Sequence, residues 1–174
     1  SPPSAERDPG DPDRYSVCMH ADPMSMTTAS LVTRLPEEIG RRPWPVWISF
    51  ATPCTGIFFP VYLDGVIPAC LASSSVASEN ERAQESSAWD TFRCLQERAT
   101  LDFERARPLL GAGWKAVERT IEFERQRVEQ AATSLFAAER ADEAADLLTG
   151  FMARTTDQVL ETARDLATAL GEPR

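Results

Sequence analysis

WPVWISFATPCTGIFFPVYLDG, residues 44–65, holds two extended segments separated by a corner. Val46 to Phe50 is apolar on both faces, which predicts a short, central, buried strand. Ala51 to Thr55 contains Pro53 and reads as a tight corner. Gly56 to Leu63 is extended again, but Pro60 has no amide to donate to a ladder, so this strand belongs at a sheet edge or carries a bulge. Asp64-Gly65 ends it as a turn.

Working upstream, RYSVCMHADPMSMTTASLVTRL, residues 14–35, repeats the theme. Tyr15 to His20 alternates as a strand, with Tyr15, Val17 and Met19 on one face and Ser16, Cys18 and His20 on the other. Ala21-Asp22-Pro23 makes a turn. Met26 to Leu35 is extended and rich in Thr and Val, so the two segments are expected to pair as a hairpin. Pro36 to Pro43 is a polar connection. Before all of this, residues 1–14 hold four prolines and no apolar side chain larger than alanine, which predicts an exposed or disordered segment.

Working downstream, residues 15–72 form the β-rich part, 73–87 a polar linker, and 88–171 a helical region on the same domain. Ala88, Phe92, Leu95, Ala99, Phe103 and Ala106 recur at spacings of three and four, one apolar stripe of a first helix. Pro108 and Gly111-Ala112-Gly113 are expected to close it. A second helix is predicted over 114–140, with Trp114, Val117, Ile121, Val128 and Leu135 inward and Glu118, Glu122, Arg125 and Glu129 outside. A third, over 142–170, carries Leu148, Phe151 or Met152, Thr155, Val159, Ala163, Leu166 and Leu170 in register. Asp142 and Glu143 suit its start, and Gly171 and Pro173 its end. Antiparallel strands followed by three long helices make the fold class α+β.

The 174 residues carry 43% hydrophobic and 26% charged side chains, an ordinary globular balance for one domain. The net charge is −9 and Lys115 is the only lysine, so neither nucleic acid nor an anionic membrane surface is an expected partner. No apolar run reaches the ~18 residues of a spanning helix. Cys18, Cys54, Cys70 and Cys94 form no CxxC pair, which points to reduced thiols in a cytoplasmic setting. Ser1, in place of Met, heads a proline-rich segment, and further polypeptide is expected to precede it.

Residue chemistry alone discloses no reaction. Cys18 and His20 share a strand face, the raw material of a thiol nucleophile, yet such neighbours sit too far apart for a hydrogen bond and buried thiols are common core residues. Cys18, His20, Cys54 and Cys70 are chemically fit for zinc, but their spacing matches no zinc pattern. His20 alone is better explained as a core or pocket-lining residue. Trp44, Trp47, Phe50, Phe58, Phe59 and Tyr62 read as core. There is no GxSxG, phosphate loop, HExxH or dinucleotide fingerprint. No catalytic, cofactor-binding or metal-ligating residue is therefore assigned, and no cofactor.

Five pieces in order carry a resemblance: Val17-Cys18-Met19-His20, Thr27-Thr28-Ala29-Ser30, Thr52-Pro53-Cys54-Thr55, Phe59-Pro60-Val61-Tyr62-Leu63-Asp64 and, more loosely, Ser87-Ala88-Trp89. Over residues 15 to about 105 the chain resembles the C-terminal part of the secernin and dipeptidase cysteine peptidases, of the N-terminal nucleophile (Ntn) hydrolase superfamily. The resemblance implies a partial αββα sandwich, with two antiparallel sheets between helical layers. It also implies hydrolysis of a peptide or other amide by a cysteine exposed as the first residue of a mature chain, its own α-amino group acting as base. No cysteine here matches that position. Ser1 is not a substitute, because Ser1-Pro2-Pro3 leads into a polar tail instead of a strand.

The expectation is thus a C-terminal portion of a dipeptidase-like hydrolase, inactive alone, whose nucleophile lies upstream. Its alternative is a non-catalytic binding or scaffold module that keeps the fold. The first reading further predicts that the apolar face at Val46, Ile48, Phe50, Ile57 and Phe59 lacks part of its cover, and self-association through it.

Overall fold

The computed structural model describes Cys18, the backbone of His20, Ala21 and Ser25, and residues 26–33, 43–72 and 87–171. The exposed segment expected over 1–14, most of the first strand, the link from Pro36 to Arg42, nearly all of the 73–87 linker, and Ser1 and Pro173 lie outside the described residues.

The chain is α+β, with antiparallel strands first and long helices after. Two short strands, β1 (His20–Ala21) and β2 (Ser25–Met26), form a ribbon in which His20 faces Met26. A three-stranded antiparallel sheet follows, in the order β3 (Ala29–Thr33), β4 (Pro45–Phe50), β5 (Phe59–Tyr62). The central place expected for residues 46–50 is the one they take. Pro60 lies opposite Trp47 on β5, an edge strand among the described residues, where its missing amide interrupts no ladder.

The predicted 26–35 strand divides at Thr27-Thr28. Met26 stays with β1, whereas Ala29 to Thr33 pairs with β4, from Ala29 opposite Phe50 to Thr33 opposite Val46. The two threonines carry the chain from one sheet to the other, and the Thr28 carbonyl accepts from the Ala51 amide at 2.7 Å.

A short helix α1 (Ala69–Ala72) precedes α2 (Ala88–Leu101), α3 (Phe103–Ala137) and α4 (Ala141–Leu170). Ser87 caps α2, its hydroxyl oxygen accepting from the Asp90 amide at 3.1 Å. The break between the first two long helices falls at Asp102, not at Gly111-Ala112-Gly113. Asp102 leaves helical geometry (φ −149°, ψ 78°) and its carboxylate accepts from the Arg105 amide at 3.2 Å, a new N-cap. Pro108 then sits in the second turn of α3, and the glycines continue the helix. Gly113 is there for packing: a Cβ on it would meet the Leu166 side chain of α4 at 3.0 Å.

α3 and α4 form an antiparallel hairpin, and by helix rise α3 is about 50 Å long. Their junction is a Schellman turn: the Arg140 amide donates to the Leu135 carbonyl at 2.9 Å and the Glu139 amide to that of Phe136 at 3.1 Å. Glu139 occupies the left-handed position (φ 60°) that glycine ordinarily takes. The predicted stripes supply the core. Phe92, Leu95 and Ala99 of α2, Trp114, Val117 and Ile121 of α3, and Leu148, Phe151, Met152 and Val159 of α4 are buried with Phe59, Val61 and Tyr62 of β5. Both alternatives at 151 and 152 face inward. Phe92 stacks on Trp114 at 6.0 Å, and Tyr62 meets Phe151 edge-on at 6.1 Å.

Two expectations need correction. The face at Val46, Ile48, Phe50, Ile57 and Phe59 is not bare: Ile57 and Phe59 are fully buried and the other three pack half-buried against the helical core. Apolar exposure falls elsewhere, on β3, where Leu31 is 66% and Val32 51% exposed, and just after β5, where Leu63 is 75% and Val66 72% exposed. Likewise Arg125 and Glu129 are not outside decoration. Residue 125 falls on the same helical stripe as Ile121 and Val128, and Arg125 bridges Glu122 (2.7 Å) and Glu129 (2.6 Å) over the Trp47 ring. The Tyr62 hydroxyl donates to Glu129 at 2.7 Å. Burial, then this carboxylate, pushes the Tyr62 phenol up, so it remains a neutral donor. Among the described residues no helix is long and apolar enough to cross a membrane.

Candidate functional site

Around the corner after β4 lie the buried polar residues Ser49, Thr52, Thr55 and Gln96. β4 ends at Phe50, and Ala51 turns the chain with a left-handed backbone (φ 57°), a strained choice for a residue with a Cβ. Thr52 and Thr55 are buried, and their hydroxyls lie 3.1 Å apart. The Thr55 amide and hydroxyl both donate to the Thr52 carbonyl at 3.0 Å. The ends of the corner are tied to two helices. Gln96 Oε1 of α2 accepts from the Thr52 amide at 3.0 Å, and Trp114 Nε1 of α3 donates to the Thr55 carbonyl at 3.0 Å. Gly56 closes the turn where a Cβ would meet the Phe50 carbonyl and Ser49 Oγ, each at 3.2 Å. Ser49 Oγ is buried without a hydrogen-bond partner among the described residues.

Against this corner lies a cavity of about 280 Å³. Thr27, Thr28 and Ala51 form one wall, and Trp89, Arg93 and Gln96 of α2 the other. Gln96 Nε2 also donates to Met26 Sδ at 2.7 Å, so a single side chain joins the ribbon, the corner and α2. At the rim Arg93 lies 5.5 Å over the Trp89 ring and pairs with Glu97 at 2.5 Å. The cleft is thus lined mainly by apolar surface, with threonine side chains and the Arg93–Glu97 pair at its edge.

Cys18 and Cys54, separated by 36 residues, come together at the outer side of the corner, where the Cys54 amide donates to Cys18 Sγ at 3.3 Å. A hydrogen bond between the two side chains, and then burial, pushes the Cys18 thiol well above its ordinary range. A thiol that keeps its proton is a poor nucleophile at neutral pH. The side chain of His20 lies outside the described residues, so the Cys18–His20 pair has no geometry to report. Cys70 is on α1 and Cys94 on α2, and no group of three or more His, Cys, Asp or Glu among the described residues is arranged to hold a metal ion. A second cavity, of about 350 Å³ between α2 and α4, is lined by Asp90, Cys94, Arg98 and Arg164 among others. Arg98 there already donates to the Ala167 carbonyl at 2.7 Å.

Sequence reading had singled out Thr27-Thr28, Thr52 to Thr55 and Trp89, but not Gln96, Arg93 or Ala51. Gln96 did leave a signal: it stands four residues after Phe92 and three before Ala99, a polar residue on an apolar stripe. The backbone of Ala51 left none, because alanine does not advertise a positive φ. Comparison of the chain with family models, with curated proteins and with solved structures returned no match in any of the three.

Proposed function

We propose that this chain is the C-terminal portion of a dipeptidase-like Ntn hydrolase and supplies sheet, pocket wall and outer helices to a site whose attacking cysteine is on other polypeptide. One observation carries the reading. Thr27-Thr28, Ala51 and Trp89, far apart in sequence and each from or beside a stretch that carries the resemblance, border the same cavity. The state of the thiols supports it too: the Cys18 thiol is pushed up against Cys54, which does not suit attack on an amide. The exposed strand β3 suits a sheet extended by a further strand, as the two-sheet sandwich of that superfamily requires. A peptide or other small amide is the substrate class, and a reducing cytoplasm the setting.

The alternative, a self-contained binding or scaffold module, has one observation in its favour: the face from Val46 to Phe59 is covered by the chain's own helices. Hydrolysis assays separate both readings from a catalytic one. The purified chain, incubated with a panel of dipeptides, is expected to release no amino acid above the buffer rate, with Cys18→Ala and Cys54→Ala indistinguishable from it. Turnover that disappears in Cys18→Ala overturns the proposal.

A further inference from the structure

We infer that Cys18 and Cys54 form a thiol–disulfide exchange site whose co-substrate is a low-molecular-weight disulfide of the glutathione type. The contact is already close. Cys18 Sγ sits 3.3 Å from the Cys54 amide nitrogen, and only three bonds separate that nitrogen from Cys54 Sγ, so a χ1 rotation brings the sulfurs toward bonding geometry. The two residues also differ in the way such a site requires: Cys54 is exposed and Cys18 half-buried. Cys54 rides on a corner whose backbone is fixed on both sides, by Gln96 through Thr52 and by Trp114 through Thr55. The exposed thiol therefore meets the reagent while the sheltered one waits beside it.

The exchange has two steps. The Cys54 thiolate attacks one sulfur of the small disulfide RSSR; a Cys54–SR bond forms, the RSSR bond breaks, and RS⁻ leaves and takes up a proton. Cys18 then gives its proton to solvent and attacks Cys54 Sγ, forming the Cys18–Cys54 bond and expelling a second RS⁻, which is protonated in turn. Two protein thiols are oxidised and one RSSR is reduced to two RSH; excess RSH reverses both steps. The product closes a loop between the β1 end of the chain and the corner that walls the cavity.

The test is to incubate the purified chain in glutathione–glutathione disulfide buffers of graded ratio and to follow thiol count and linked peptides by mass spectrometry. Two of the four thiols are expected to be lost together, with the Cys54–glutathione adduct appearing first and giving way to a Cys18–Cys54 link. Trypsin leaves Cys54 and Cys70 in one peptide, since no Lys or Arg lies between residues 43 and 81, so Cys70→Ser serves as the assignment control and keeps the link. Cys18→Ser is expected to stop at the Cys54 adduct, and Cys54→Ser to form neither product. The linked protein should melt higher by roughly 5–10 °C. Wild-type protein that stays at the mixed disulfide at all pH values, or that links Cys18 to Cys70 or Cys94 instead, overturns the inference. So does a link that survives in Cys54→Ser.

Discussion

The α3–α4 hairpin and the Ala51–Gly56 corner each turn a buried side to the core, yet they are held by different physics. In the hairpin, stability is spread along two stripes of apolar side chains, and most positions accept another apolar residue of similar volume. In the corner it is concentrated in a few directed hydrogen bonds from Gln96 and Trp114 to Thr52 and Thr55. Only the corner combines a strained backbone, a buried hydroxyl lacking a partner among the described residues, and a cavity. That contrast makes the corner, and not the hairpin, the region on which the proposed function rests.

Substitutions probe this contrast in order of expected size. Phe151→Ala in the hairpin removes a fully buried ring against Tyr62 and is expected to destabilise by about 3–5 kcal/mol in urea unfolding. Phe151→Leu should recover much of that, because shape and volume are what count there. Gln96→Ala strands the buried Thr52 amide and should lose about 1–3 kcal/mol. Here Gln96→Leu, which restores volume without an acceptor, should not rescue; rescue would mean that the corner is held by packing after all.

Tyr62→Phe should lose about 1 kcal/mol at neutral pH. It also has a pH signature. The phenol is raised above its ordinary value of 10.0 by burial and Glu129, so the unfolded chain releases this proton first. The stabilising contribution is fully present below about pH 10 and is lost as pH climbs toward the folded value. Urea midpoints measured from pH 8 to 11 should show a shallower alkaline decline in Tyr62→Phe than in the parent.

The smallest pair sharpens the comparison most. Among the described residues, Ala51 and Glu139 are the non-glycine positions with positive φ, at 57° and 60°, one in each region. Glycine at either should stabilise by about 1 kcal/mol in thermal unfolding, by relieving left-handed strain. If the corner is the functional region, only Ala51→Gly alters ligand binding; Glu139→Gly leaves it unchanged.

Much of the scaffold was legible because apolar periodicity survives as pattern: the stripes through Phe92, Trp114, Ile121 and Val159, the central strand at Val46–Phe50 and the edge proline at Pro60. The misplaced helix break shows the limit of composition. Pro108, Gly111 and Gly113 look like a stop, but α3 carries Pro108 in its second turn at the loss of one backbone bond to Glu104, and a glycine facing Leu166 is a contact, not a turn. The signal that mattered was Asp102, a lone cap residue. Arg125 was misread because a charge run suggests solvent, whereas its register with Ile121 points it at Tyr62 and Trp47. The corner was legible only as a turn with notable residues. Its partners, Gln96 and Trp114, lie 44 and 59 residues from the atoms they bind, a distance that local patterning does not span.

The cavity at the corner is the centre of the account, and a nuclear magnetic resonance titration with a small dipeptide tests it directly. Shifts are expected at the Thr28 and Ala51 amides, the Gln96 side-chain amide and the Trp89 indole, weakened in Gln96→Ala. Shifts confined to the α2–α4 cavity around Arg98 and Arg164, or no saturable shift at the corner, contradict it.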